Sequence, residues 1–158
     1  ANAQRCGATC ASAEAVLGLS EQTLVATIPE LKRTPKPVPG PRNSRGKWVL
    51  PDVTFARQAF SVTYFILDRR VSRIEYLSTA TKLQCLQRTP FELALSELAG
   101  SFGESHAAGS FDDGGRSMHS VSFNTQNMDI AVHLSLSAED CSTRIIFKTR
   151  EVKDGSEL

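Results

Sequence analysis

Residues 60–76 read FSVTYFILDRRVSRIEY, and this stretch decides the fold. Phe60, Val62, Tyr64 and Ile66 recur at a period of two, the mark of a strand with one buried face. Asp68-Arg69-Arg70 then turns the chain, and Ile74 and Tyr76 carry a returning strand, so the segment predicts a β-hairpin. Residues 130–147, IAVHLSLSAEDCSTRIIF, follow the same plan. There Ile130, Val132, Leu134 and Leu136 alternate, Ala138-Glu139-Asp140 turns, and Ile145 and Phe147 return. The two returning strands share lettering at an offset of 71 residues, Ser72-Arg73-Ile74-Glu75-Tyr76 against Thr143-Arg144-Ile145-Ile146-Phe147. One more strand is expected before each hairpin, near Trp48 to Phe55 and around His119, Val121 and Phe123.

Helical patterns precede both hairpins. Thr89-Pro90-Phe91-Glu92 reads as a capping threonine, a proline at the first helical position and a glutamate closing a capping box. Phe91, Ala94, Leu95, Leu98 and Phe102 then fall on one helical face before Gly100 and Gly103 end it. In the first half Ser20 can cap a shorter helix whose Leu24, Val25 and Ile28 form a similar stripe. Shorter helical patterns lie just before each, at Ala13, Val16 and Leu17 and at Leu83 and Leu86. An internal duplication accounts for helices, hairpins and spacing together. The expected fold is α+β: two tandem repeats, each a helix-loop-helix packed on one face of a roughly three- to four-stranded antiparallel sheet. Residues 1–79 form the first repeat, 80–150 the second and 151–158 a flexible tail, the whole being one compact unit.

Composition bounds the function classes. The chain has 158 residues, 41% of them hydrophobic, with 18 Lys+Arg against 17 Asp+Glu. That is enough apolar material for a core, no apolar run approaches the roughly 20 residues of a bilayer span, and the charge is too even for the strongly basic footprint of a nucleic-acid binder. Ala1-Asn2-Ala3-Gln4 reads as the end of a signal-peptidase site or as a tag remnant. Four cysteines permit three connectivities. Parity turns Cys141 toward the helices, where Cys85 lies beside Leu86, so a Cys85–Cys141 bridge is expected and Cys6 is left for Cys10. Free buried cysteines are the alternative.

With the helices on the apolar side, the other sheet face stays bare. It is expected to carry Ser61, Thr63, Phe65, Arg73 and Glu75 from the first half, and Asp129, His133, Ser135, Arg144 and Lys148 from the second. From these, Phe65, Arg73, Glu75, His133 and Arg144 are the partner-binding candidates, since arginine and aromatic side chains dominate interfaces. Residues 32–47 are read as a basic loop with six cations (Lys32, Arg33, Lys36, Arg42, Arg45, Lys47), four prolines and no acid. Its Lys36, Arg42, Arg45 and Trp48 join the candidates, and an anionic envelope surface is a second ligand for it. The matching stretch Gly103 to Gly115 is read as a solvated acidic loop. His106, His119 and His133 fall on different elements, with His119 facing the core and His133 facing out, so no metal site is expected. No nucleophile elbow, phosphate loop or cysteine nucleophile motif is present in the sequence, and neither catalysis nor a cofactor is expected.

Leu17-Gly18-Leu19-Ser20-Glu21-Gln22, the Pro-rich stretch, the Trp-bearing strand and the Phe60 to Tyr76 hairpin together resemble the repeat unit of the β-lactamase inhibitory protein family. The small lipoprotein of the outer-membrane β-barrel assembly machine is similar and has a single such unit. The resemblance implies a periplasmic or secreted, non-catalytic binder that grips another protein with loops and an open sheet face. An envelope hydrolase or small-ligand-binding protein with a site assembled only in the fold is the first rival, and a structural envelope component the second.

Overall fold

Side chains at Ser20 and Thr81 start helices because each hydroxyl accepts an orphan backbone N–H. Ser20 Oγ takes the amide of Thr23 at 3.1 Å, and Thr81 and Gln84 close a reciprocal capping box. The computed structural model describes residues 12–150. Helices α1 (Ala13–Val16) and α2 (Glu21–Thr27) lead into strands β1 (Lys32–Pro39), β2 (Arg45–Phe55), β3 (Gln58–Leu67) and β4 (Arg70–Ser78). Helices α3 (Lys82–Leu86) and α4 (Thr89–Phe102) follow, then β5 (Ala107–Asp113), β6 (Arg116–Asn124), β7 (Met128–Ser137) and β8 (Cys141–Thr149). Among the described residues no helix is long and apolar enough to cross a membrane. Residues 1–4, the Cys6–Cys10 pairing and the tail at 151–158 lie outside the described residues.

The expected pair of helix-loop-helix repeats, each on its own small sheet, is corrected. The eight strands of the described residues form one antiparallel sheet in the order β1-β2-β3-β4-β8-β7-β6-β5. Of the described helices only α4, with 14 residues, is longer than two turns. The physical reason lies in the returning strands. Left as edges, β4 and β8 would each expose a long, β-branched ladder of unpaired backbone groups. They pair with each other instead, from Arg73↔Lys148 to Leu77↔Arg144, which sets Ile74 opposite Phe147 and Tyr76 opposite Ile145 on the helix side.

Three local expectations are corrected as well. Residues 32–47 are not a loop: β1 and the start of β2 occupy most of them, joined through a 3₁₀ turn at Pro41–Asn43. Proline recurs there at every second position, which an edge strand tolerates. The Gly40 amide bonds inward to Ser44 O at 3.0 Å, so Pro37 and Pro39, one and three residues away, turn their nitrogens to solvent where no donor is needed. Gly103 to Gly115 is likewise mostly strand, with β5 closing on β6 through Gly114-Gly115 at positive φ. Finally, the capping box expected at Thr89 is absent. Arg88, at φ 66°, caps α4 with its backbone, and Thr89 is already helical.

The period-two pattern fixes the core. Phe60, Val62, Tyr64, Ile74, Tyr76, Ile130, Val132, Leu134, Ile145 and Phe147 are buried on one sheet face, against Val16, Leu24, Ile28, Phe91, Ala94 and Leu98 from the helices. Phe55, Phe60, Tyr76 and Phe147 meet edge to face, with Tyr76 and Phe147 centroids 5.3 Å apart, each such pair adding about 0.5–1.5 kcal/mol beyond its buried area. The Cys85–Cys141 disulfide ties α3 to the start of β8, the pairing expected from the parity of Cys141.

Candidate functional site

The helices cover one sheet face, and the strand registers arrange the other in rows. One row runs Phe65, Arg73, Lys148, Asp129, Asn124 across β3, β4, β8, β7 and β6. The next holds Thr63, Glu75, Ile146, Ala131 and Ser122, and the third Ser61, Leu77, Arg144, His133 and Ser120. Because side chains alternate, each row shares one face, and neighbouring rows are two residues apart along each strand.

Glu75 is the centre of the arrangement. Its carboxylate accepts from Arg73 Nε at 2.7 Å and from Arg144 Nη1 at 3.3 Å, so one acid holds two guanidinium groups. The Glu75 and Arg73 side chains are only 17% and 20% exposed, and Arg144 is 47% exposed. The Arg73 guanidinium also lies over the Phe65 ring, 5.9 Å from its centroid. His133 stands opposite Arg144 and pairs Nδ1 with Ser120 Oγ at 2.7 Å. Burial holds the His133 imidazole below its ordinary pKa, and Arg73 and Arg144 push it the same way against a smaller upward pull from Glu75. The ring is therefore neutral at pH 7, and the cluster carries two cations and one anion.

Toward the β1–β2 connection this face opens into a cleft of about 190 Å³ lined by Arg42, Ser44, Ser72, Arg73, Asp129 and Lys148 among others. A second shallow depression of about 390 Å³, sharing Asp129 and Lys148, runs on past Ser122 and Ile146 to Arg150. The floor is thus polar with three cations nearest the β1 side. A separate, more apolar cleft of about 480 Å³ opens on the helix side over Phe55, Tyr76, Leu98 and Phe147. Burial raises the pKa of the Tyr76 phenol there.

The sequence candidates divide into those that converge and those that do not. Arg73, Glu75, His133 and Arg144 converge, and Arg42 reaches the rim of the same face. Phe65 shares the face but is not an exposed anchor: it is 2% exposed. Two glycines explain this. A Cβ at Gly40 would fall 2.7 Å from the Phe65 ring and one at Gly46 3.2 Å from it, so the ring fills the space that the missing side chains leave. Trp48 belongs to the other side of the sheet. Its Nε1 donates to Glu21 Oε2 at 2.8 Å and Arg33 stacks 5.6 Å from its ring, which fastens α2 to β2. Lys36 is exposed on β1, and Arg45 spends its guanidinium on the Asn43 and Ser44 carbonyls.

His119 keeps its expected helix-side direction but is half-exposed, held by Ser110 Oγ at 2.8 Å and Arg88 Nη2 at 3.3 Å. No three His, Cys, Asp or Glu side chains converge to hold a metal among the described residues. Sequence reading missed Ser120 and Arg116, whose Nη1 donates to Ser135 Oγ at 2.7 Å. Parity offered the signal: both sit an odd number of residues from His119, on the face opposite to it. Comparison with known protein families, curated proteins and solved structures finds no match.

Proposed function

We propose that this chain is an exported, non-catalytic binding module, inhibitor-like in its mode, that grips another protein with the open sheet face and its basic rim. One observation carries the reading: a broad face left bare by the helices, with Glu75 bonded to both Arg73 and Arg144 at its centre. An arginine already fixed by a carboxylate loses little rotamer freedom when a partner lands on it, which favours affinity. Arg42, Arg73 and Lys148 beside the 190 Å³ cleft suit a carboxylate-bearing surface on that partner. The disulfide between Cys85 and Cys141 supports an oxidising, extracytoplasmic setting. The resemblance to the β-lactamase inhibitory protein family points to the same mode of action.

The test is capture of proteins from periplasmic or secreted extract by immobilised oxidised protein. Wild type is compared with Arg73→Glu/Arg144→Glu on the sheet face and with Glu92→Lys on the exposed side of α4. A protein retained by wild type and by Glu92→Lys but lost by the double variant supports the reading. Equal capture by all three removes the sheet face from it.

A further inference from the structure

The sheet has two edges, and the chain treats them differently. β1 is blunted by Pro37 and Pro39 and by Lys32, Arg33 and Lys36, the usual means of preventing strand addition. β5 has neither proline nor lysine, all seven of its residues are exposed, and Phe111 on it is 61% exposed. We propose that β5 pairs antiparallel with β5 of a second copy of this chain, about a two-fold axis at Ser110, joining two open faces into one continuous surface.

The hairpin turn sets which groups are free to pair. Asp113 and Arg116 flank the two-residue Gly114-Gly115 loop and face each other in register. A pair in that position exchanges its hydrogen bonds within the hairpin, so odd-numbered residues of β5 bond inward to β6. The backbone groups of Ala108, Ser110 and Asp112 are thereby directed outward. A two-fold at Ser110 sets Ser110 against its own copy and Ala108 against Asp112, so all three satisfy each other in about six hydrogen bonds. It is also the register that pairs the whole of Ala107–Asp113 in both copies.

Side chains agree with the backbone. Gly109 and Phe111 share the open face and lie either side of the axis, so each Phe111 ring falls across the Gly109 of the other copy. That is a non-hydrogen-bonded pair, where side chains come closest, and a Cβ built at Gly109 meets nothing within 4 Å. An aromatic ring over a strand glycine restores the contact that the glycine lacks. Like charges are kept apart, because Asp112 and Asp113 face Ala108 and Ala107 rather than each other. Each Asp112 also arrives one step from the other copy's Ser110, beside which Arg88 and His119 lie.

Sedimentation equilibrium of the full chain over roughly 1–100 μM, a range that brackets weak dimers, tests the proposal together with oxidation of Ser110→Cys. Expected are twice the monomer mass for wild type, a dissociation constant raised at least about tenfold by Phe111→Lys, and a covalent dimer from Ser110→Cys. In the two-fold seam the Ser110 Cα atoms would stand about 5.5 Å apart, within reach of a disulfide. Ala107→Cys, facing Asp113, is expected to stay uncrosslinked. A monomer throughout the range overturns the proposal, as does a dimer that Phe111→Lys leaves intact and Ser110→Cys fails to trap. Unchanged circular dichroism of Phe111→Lys shows that the variant folds.

Discussion

Replacing both cysteines of the Cys85–Cys141 bridge by alanine should lower stability by an amount fixed largely by the loop they close. The bridge spans 56 residues, and in the chain-entropy model a loop of that size removes about 14 cal/mol/K from the unfolded ensemble, about 4 kcal/mol at 25 °C. For a chain of this length each kcal/mol moves the midpoint by about 2–4 °C, so a fall of roughly 8–16 °C follows. Alanine is the right replacement because Cys85 is buried with Thr143 Oγ1 only 3.8 Å from its sulfur, and serine would introduce a second hydroxyl there. The assay is urea unfolding of Cys85→Ala/Cys141→Ala against oxidised wild type, followed by circular dichroism. Because the link shortens the unfolded chain, the variant should also show a steeper dependence on urea. A loss below about 1 kcal/mol with an unchanged slope would refute the reasoning, since the bridge would then not be restricting the unfolded state.

Three further outcomes test the sheet itself. Glu75→Gln keeps the shape but removes the charge shared by Arg73 and Arg144, and should cost about 1–3 kcal/mol; it should also lower the His133 pKa further, read by NMR titration, because Glu75 is the group that raises it. A His133 pKa that rises in this variant would contradict the geometry. His133 titrates below its unfolded value near 6.5, so the unfolded state binds the proton first: stability is full above about pH 6.5 and falls as pH drops from there toward the lower folded value. His133→Asn should flatten the fall in stability below about pH 6.5, and identical profiles would remove His133 as the cause. Tyr64 is wholly buried with a hydroxyl that has no partner among the described residues, so Tyr64→Phe should leave urea stability unchanged or raise it by about 1 kcal/mol, whereas a loss of that size would mean that the hydroxyl is bonded.

Much of this could be read from one chain because strands announce their faces locally. The alternation of Phe60 to Ile66 and of Ile130 to Leu136 placed the core, and the same parity put Arg73, Glu75, His133 and Arg144 together and turned Cys141 toward Cys85. These depend only on side chains pointing to opposite sides at successive residues. Composition misled where geometry ruled: Pro35 to Pro39 and the stretch around Gly109 look like loops, yet they lie in the edge strands β1 and β5, which use only alternate backbone donors and tolerate both residues.

What the tertiary structure alone decided is which strands are neighbours. Nothing in either returning strand names the other as its partner, yet the β4–β8 pairing makes one sheet and brings Arg144 across to Glu75, 69 residues away. Burial of Phe65 against Gly40 and Gly46, and the turning of Trp48 toward Glu21, were settled the same way. The sequence specifies the periodicity of each strand, which is a local property. Register between distant strands is chosen by the total burial and hydrogen bonding of the assembled sheet, and that sum exists only once the chain has closed on itself.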